Sequence, residues 1–171
     1  KAILIVIISI ILASIFGAIH NQISYSVSSE FFQSFLFGNF GTGDWNINNH
    51  RIEASIVGIL GSYWVGLILG IIYLIIFLFI DTNNNFKYIF KALLINLLLS
   101  LIGSILGYLV AHFFVSIESS DIRMDFGVNH PQNYIEAAYM HEGSYYGGIL
   151  GLLFGVAYLI SQNNKYKNIK I

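Results

Sequence analysis

Imidazole and carboxylate side chains gather in two parts of this chain, near residues 20–53 and 112–142. All five histidines lie there, at positions 20, 50, 112, 130 and 141, together with eight of the nine acids. Imidazole plus carboxylate is the ligand set that binds zinc, iron, manganese or copper. The pattern therefore predicts a site for a divalent transition metal, whose candidate ligands are His20, Glu30, His112, His141 and Glu142.

Other interpretations of the same residues stay open. No pair of these side chains has the spacing that puts two ligands on one helix face, so the metal site depends on separate segments converging. A histidine at a membrane boundary also serves as an amphipathic interfacial residue with a single hydrogen bond, and Glu142 can be a solvated residue near a helix N-terminus. The chain has neither a Gly-x-Ser-x-Gly elbow nor a phosphate-binding glycine loop, so no reaction is predicted.

The elements that must position these residues are membrane helices. The chain is 56% apolar and only 10% charged, with a mean hydropathy of +0.72, whereas a soluble domain is about 25% charged. Four segments are long and apolar enough to cross a bilayer, since a span needs about 20 residues. They predict an all-α fold, a single four-helix transmembrane domain over 1–171 without an internal repeat. Its helices cover about 2–19, 54–80, 92–117 and 143–160, joined on the outer side by loops 20–53 and 116–142.

Small residues recur at every fourth position in these segments. This spacing lets two membrane helices approach backbone to backbone. The residues predicted to line such packing faces are Gly58, Ser62, Gly66 and Gly70 in the second helix, Gly103 and Gly107 in the third, and Gly143, Gly147, Gly151 and Gly155 in the fourth.

The distribution of charge predicts an orientation. All six lysines lie at the two termini or in the segment between the second and third helices. Because positive residues accumulate on the cytoplasmic side, both termini are expected there, in the inner membrane of a bacterium. The segment 81–85 would then be a cytoplasmic turn.

The outer loops are expected to form a small cap. Ser28 or Ser29 can begin a short helix that ends at Gly38 and lies in the membrane interface. Alternating apolar residues predict short extended pieces at 23–27 and 122–128, and Pro131 can start an interfacial helix that reaches His141. Counting helix depths at 1.5 Å per residue puts His20, His112 and His141 at about the same level.

Three stretches resemble a group of uncharacterised bacterial four-helix membrane proteins. They are Gly17–Tyr25 with Glu30-Phe31-Phe32, Ala54–Gly58 with Trp64-Val65-Gly66, and His141 with Ser144-Tyr145 and Gly147-Gly148. In that group the first helix ends in His-Asp-Gln, followed by Glu-Tyr-Phe. This chain has Asn21 in place of the aspartate and Phe31 in place of the tyrosine. The resemblance implies four membrane helices and matching positions at His20, Gln22 and Glu30, and it implies no reaction.

Three functions follow as expectations. The first is a membrane subunit or scaffold that engages a membrane protein partner, or a second copy of itself, through its helix faces and outer loops. The second is a metal-binding protein or metalloenzyme that uses the histidine and glutamate residues above, and the third is a small transporter or oligomeric pore. There is no basic patch of the kind that binds nucleic acid, and the absence of cysteine excludes disulfides and thiol chemistry.

Overall fold

The computed structural model describes residues 2–79, 85–124 and 127–169, and within these ranges the regular structure is entirely helical. Helix α1 covers Ala2–Val27, α3 covers His50–Phe79, α4 covers Asn85–Phe114 and α5 covers Pro131–Ile169. A short helical segment, α2, runs through Ser29–Phe31, a π-helical turn Phe32–Leu36, and Phe37–Asn39. The four long helices are long and apolar enough to cross a membrane, which confirms the prediction of four helices that could span a bilayer.

Several predicted helix ends are wrong. Helix α4 begins at Asn85 instead of 92, α5 ends at Ile169 instead of 160, and both α1 and α5 extend far into the predicted outer loops. Helix α1 continues through 20–27, although an extended piece was expected at 23–27, and His20 and Ser24 are buried there against other helices. Helix α5 begins at Pro131 and runs through His141 and Gly143 without a break. In both cases tertiary partners for the polar side chains override the local polar pattern. The connecting segments shorten to 28–49 and 115–130.

The end of the bundle that holds the connecting segments 28–49 and 115–130 is called the outer end, after the orientation predicted for it. Residues 28–49 form its cap, and segment α2 within them folds inward over the helix ends. Its first turn is capped as predicted, since the Ser28 hydroxyl accepts a hydrogen bond of 3.2 Å from the Phe31 N–H. Its buried aromatic residues join those of α3 and α5 in one apolar cluster, which contains Phe31, Phe32, Leu36, Phe37, Ala54, Val57, Tyr134, Ala137 and Ala138. The expected extended piece at 122–128 is irregular over 121–124. Phe126, Lys1, Lys170 and the predicted turn at 81–84 lie outside the described residues.

The helices associate as two pairs, α1 with α3 and α4 with α5. Within each pair a glycine sits where an added Cβ atom would collide with backbone of the partner helix. The two pairs pack in the same register. Each contact residue of α1 has a counterpart in α4 at one constant separation along the sequence, and each contact residue of α3 has a counterpart in α5 at a second constant separation. The matching contacts are Gly17–Gly58 with Gly107–Tyr139, Ser9–Gly66 with Leu99–Gly147, and Val6–Gly70 with Asn96–Gly151. The expectation that the chain has no internal repeat is thus wrong at the level of packing.

Candidate functional site

His20 of α1 and His141 of α5 meet between the two helix pairs. Their rings contact edge to face, with the ring centroids 4.7 Å apart. Phe16 stacks on His20, while Phe31 and Phe32 of α2 lie against His141. The aromatic residues of the cap therefore close over this pair of imidazoles from the outer side.

The hydrogen bonds of the His20 ring tie α1 to α4. The Asn21 side-chain amide donates to the Ala54 carbonyl at 3.0 Å, so the Asn21 Oδ1 atom faces His20 and accepts from its Nδ1–H at 3.4 Å. The other ring nitrogen, Nε2, shares a hydrogen bond of 2.9 Å with the Ser104 hydroxyl of α4. Both ring nitrogens of His20 therefore have partners.

His141 is tied to α1 in the same manner. Its Nε2 atom shares a hydrogen bond of 3.1 Å with the Ser24 hydroxyl. The second ring nitrogen, Nδ1, has no hydrogen-bond partner among the described residues. His141 thus keeps one position open for a further donor or acceptor.

The other three histidines each pair with a glutamate, away from this place. The Nδ1 atoms lie 2.8 Å from Glu136 for His112, 3.2 Å from Glu53 for His50, and 3.3 Å from Glu30 for His130. The carboxylates of Glu53 and Glu136 are buried, and Glu53 also accepts a hydrogen bond from Thr42 at 2.9 Å. These three pairs form no shared site among the described residues.

Only two of the five predicted metal ligands come together. His20 and His141 meet, whereas His112 is half exposed and paired with Glu136, and Glu142 is exposed. Glu30 binds the segment 129–130 of the second outer loop. Over residues 2–79, 85–124 and 127–169, no three histidine or acidic side chains are grouped as a metal site would require. The depth count failed for His112 because its ring turns toward Glu136 on the outside of the α4–α5 pair.

Glu30 links the cap to the second outer loop. Its carboxylate accepts from the Asn129 N–H at 3.0 Å, from the Asn129 side-chain amide at 2.8 Å and from the His130 N–H at 2.8 Å. These donors, led by the Asn129 backbone N–H, lower the pKa of Glu30 from 4.5 to about 2. The residue acts as an anionic clamp on the loop.

A cavity of about 350 Å³ lies between the two helix pairs, beneath the two histidines. Four residues that line it, Trp64 and Ile68 of α3 with Tyr145 and Ile149 of α5, are also exposed. The cavity therefore opens sideways, between α3 and α5, on the apolar surface of the bundle. On α5 it extends from His141 to Leu152, which is roughly 16 Å at 1.5 Å per residue.

The wall of the cavity deep inside the bundle is polar, although most of the lining is apolar. Besides His20 and His141, it contains Asn96 and Ser100 of α4, which are buried, and Ser144 of α5. Within 2–79, 85–124 and 127–169, no aspartate, glutamate, lysine or arginine lines it. The cavity was not predicted from the sequence, because its signal, a lone asparagine with a serine one helical turn later, has meaning only when two helix pairs leave a gap beside it.

Comparison with protein-family models, with curated proteins and with solved structures gives no match for this chain. The resemblance to bacterial four-helix membrane proteins stays a prediction.

Proposed function

We propose that this protein is an integral membrane protein that takes an amphipathic small molecule from the bilayer into the cavity between its two helix pairs. The observation that carries the proposal is a cavity with an apolar lateral mouth and a polar inner wall. A molecule with a hydrocarbon chain and a polar head matches both surfaces at once.

The size and lining of the cavity support binding rather than a packing defect. Protein interiors leave few voids larger than a water molecule, whereas small-molecule sites run from about 300 to 1,000 Å³. A volume of about 350 Å³ falls in that range. Such sites are mostly apolar with a few placed polar groups, which is the composition found here.

The orientation proposed from the lysines sets the direction from which a ligand enters. With both termini in the cytoplasm of a bacterium and α1 running outward, His20 lies toward the outer end of its helix and the α2 cap covers the non-cytoplasmic face. The mouth between Trp64 and Tyr145 then opens within the outer half of the bilayer. Entry from the outer leaflet follows.

The scaffold function is a second proposal, and the contacts within the chain limit the surfaces that a partner could use. Most of the glycines expected to bind a partner, from Gly58 to Gly151, already contact helices of the same chain. A protein partner or a second copy would have to use other surfaces, such as the exposed Trp45 on the cap. Co-purification that is lost with Trp45→Ala would support that use of the cap.

The remaining expectations have direct tests. Stoichiometric metal lost on His141→Ala would support a metal site at the two histidines, and solute flux into liposomes would support a transporter or pore. Each test is independent of lipid binding.

Neighbouring tyrosines offer a matched test of the main proposal. Tyr145 lines the cavity mouth, whereas Tyr146 is exposed and is not part of the lining. A photoreactive benzophenone amino acid at position 145 should capture a distinct lipid species from membranes, identified by mass spectrometry of the adduct. The same group at position 146 should capture lipids in proportion to their abundance.

A variant whose side chain occupies part of the cavity provides the second part of this experiment. Ser144→Leu places a larger apolar side chain in the lining, and it removes only a local hydrogen bond to the His141 carbonyl. It should abolish the distinct adduct at position 145 and leave the adducts at 146 unchanged. Identical adducts at both positions, unaffected by Ser144→Leu, would contradict the proposal.

A further inference from the structure

The polar wall of the cavity contains three groups with unused hydrogen-bonding capacity. The Asn96 amide donates to the Gly148 carbonyl at 2.8 Å, and its Oδ1 atom has no partner within the described ranges. The same holds for the Ser100 hydroxyl and for His141 Nδ1. Asn96 and Ser100 are more than nine-tenths buried, and all three residues line the cavity.

Buried polar groups without a partner are costly, since such a group loses about 1–3 kcal/mol relative to its hydrated state. In this chain every fully buried side-chain nitrogen or oxygen of the described residues has a partner. The three groups without a partner are therefore not fully buried, because they face the cavity. A ligand or water in the cavity is what satisfies them.

The chemistry of these groups sets the head that fits. Asn96 Oδ1 accepts a hydrogen bond, the Ser100 hydroxyl donates or accepts, and His141 Nδ1 offers one of the two. Because no charged side chain of the described residues lines the cavity, a charged head there would lose its hydration without gaining a counter-charge. The site favours a head that hydrogen-bonds and carries no ionised group.

We propose that the ligand is an uncharged amphiphile, a hydrocarbon chain that ends in a hydroxyl or carbonyl head such as a monoacylglycerol or a long-chain alcohol. This inference rests on the function proposed above. The head binds Asn96, Ser100 and His141, and the chain leaves between Trp64 and Tyr145 toward the bilayer. Fatty-acid anions and anionic phospholipids are excluded from the site by the same absence of counter-charge.

Trp64 at the mouth gives a direct readout. The chain has two tryptophans, so Trp45→Phe leaves Trp64 as the single tryptophan, whose fluorescence is excited selectively. The protein is placed in nanodiscs of zwitterionic phospholipid and titrated with three probes that carry bromines on the acyl chain, which quench fluorescence on contact. They are a monoacylglycerol, the matching fatty acid at pH 8 and the matching phosphatidylglycerol.

The expected result is saturable quenching by the monoacylglycerol at a mole fraction at least tenfold below that needed for either anion. Ser100→Ala, which removes no hydrogen bond within the described residues, should weaken it about three- to tenfold, the loss of one hydrogen bond. His141→Gln should weaken it as well. The controls are Ser34→Ala and His112→Gln, whose parent residues lie outside the lining and should leave binding unchanged.

The outcomes separate the two proposals. Saturable quenching with equal strength for all three heads, or a preference for an anion, overturns this inference and leaves amphiphile binding in place. Saturable monoacylglycerol quenching that ignores Ser100→Ala and His141→Gln overturns the assigned head site. Quenching that rises linearly with every probe, as for a residue facing bulk lipid, overturns both proposals.

Discussion

The contacts within each helix pair differ in kind from the contacts between the pairs. Inside a pair, glycines bring two backbones together, as at Gly103 and Gly143. Between the pairs, side chains reach across a gap at its two ends. Adjacent residues of α5 show where the packed face of a pair ends and the cavity begins, since Gly148 lines the cavity. A Cβ atom at Gly147 would meet the Leu99 backbone, whereas one at Gly148 would meet only the Ser100 hydroxyl, at 3.1 Å.

The bridges between the pairs frame the cavity. At the outer end the hydrogen bonds His20–Ser104 and Ser24–His141 join α1 to α4 and α5. Toward the other end of the bundle, the buried Tyr73 hydroxyl of α3 donates to the Ala92 carbonyl of α4 at 3.4 Å. Glycine thus brings helices together within the pairs and leaves a gap where it faces the other pair. The pairs are therefore closely packed units, and side chains at the two ends of the gap join them.

The largest effect is expected from Gly147→Ala, with Gly148→Ala as the comparison. Gly147→Ala pushes against backbone that cannot rotate away, and overpacking of this kind costs about 1–3 kcal/mol. Gly148→Ala meets a hydroxyl that can rotate, so its cost should stay below about 1 kcal/mol. Thermal unfolding in detergent, followed by circular dichroism, measures both. Equal destabilisation by the two variants would contradict the distinction between the packed helix face at Gly147 and the cavity wall at Gly148.

A smaller effect is expected from the bridge at Tyr73. Tyr73→Phe removes a buried hydroxyl and should cost about 1 kcal/mol, the net worth of one hydrogen bond. Tyr63→Phe is the matched control, since Tyr63 is an exposed tyrosine of the same helix. The same unfolding assay should find Tyr63→Phe unchanged. A Tyr73→Phe variant as stable as the control would show that this bridge does not hold the pairs together.

Composition and lysine-free apolar runs were enough to predict four long helices, because those features act locally along the chain. Helix ends were not predictable in the same manner. The residues 20–27 look like a polar loop with an alternating strand, yet His20 and Ser24 gain partners on α4 and α5 that no local pattern reveals. Proline at position 131 was correctly expected to start a helix, and only the end of that helix was misplaced.

The candidate site was predictable in part. His20 and His141 were expected to meet and they do, while His112 was expected with them and instead pairs with Glu136. A count of residues gives depth but not the direction in which a side chain points around its helix. The cavity itself depends on the relative placement of two helix pairs, so it could not be found from any single segment.

The smallest effect is expected where the outer loops join the pairs, at Glu30. Because the pKa of Glu30 is lowered to about 2 from 4.5, its clamp on Asn129 and His130 is fully present above the ordinary pKa. It is lost as the pH falls through about 2. Glu30→Gln should imitate this loss at neutral pH, since an amide replaces the carboxylate that accepts these hydrogen bonds.

Hydrogen exchange of the 129–130 amides measures the clamp directly. At neutral pH, Glu30→Gln should speed exchange at Asn129 and His130 relative to the native chain, with unfolding of the helices unchanged. Glu142→Gln is the control, because Glu142 is an exposed glutamate without a hydrogen-bond partner in the described part of the chain. Equal protection in both variants would mean that the loop is held by other contacts, such as the hydrogen bond of 3.2 Å that the Asn133 side-chain amide donates to the Val27 carbonyl. In that case the two pairs would be joined at the outer face by α1 and α5 themselves, and the cap would cover the cavity without fastening it.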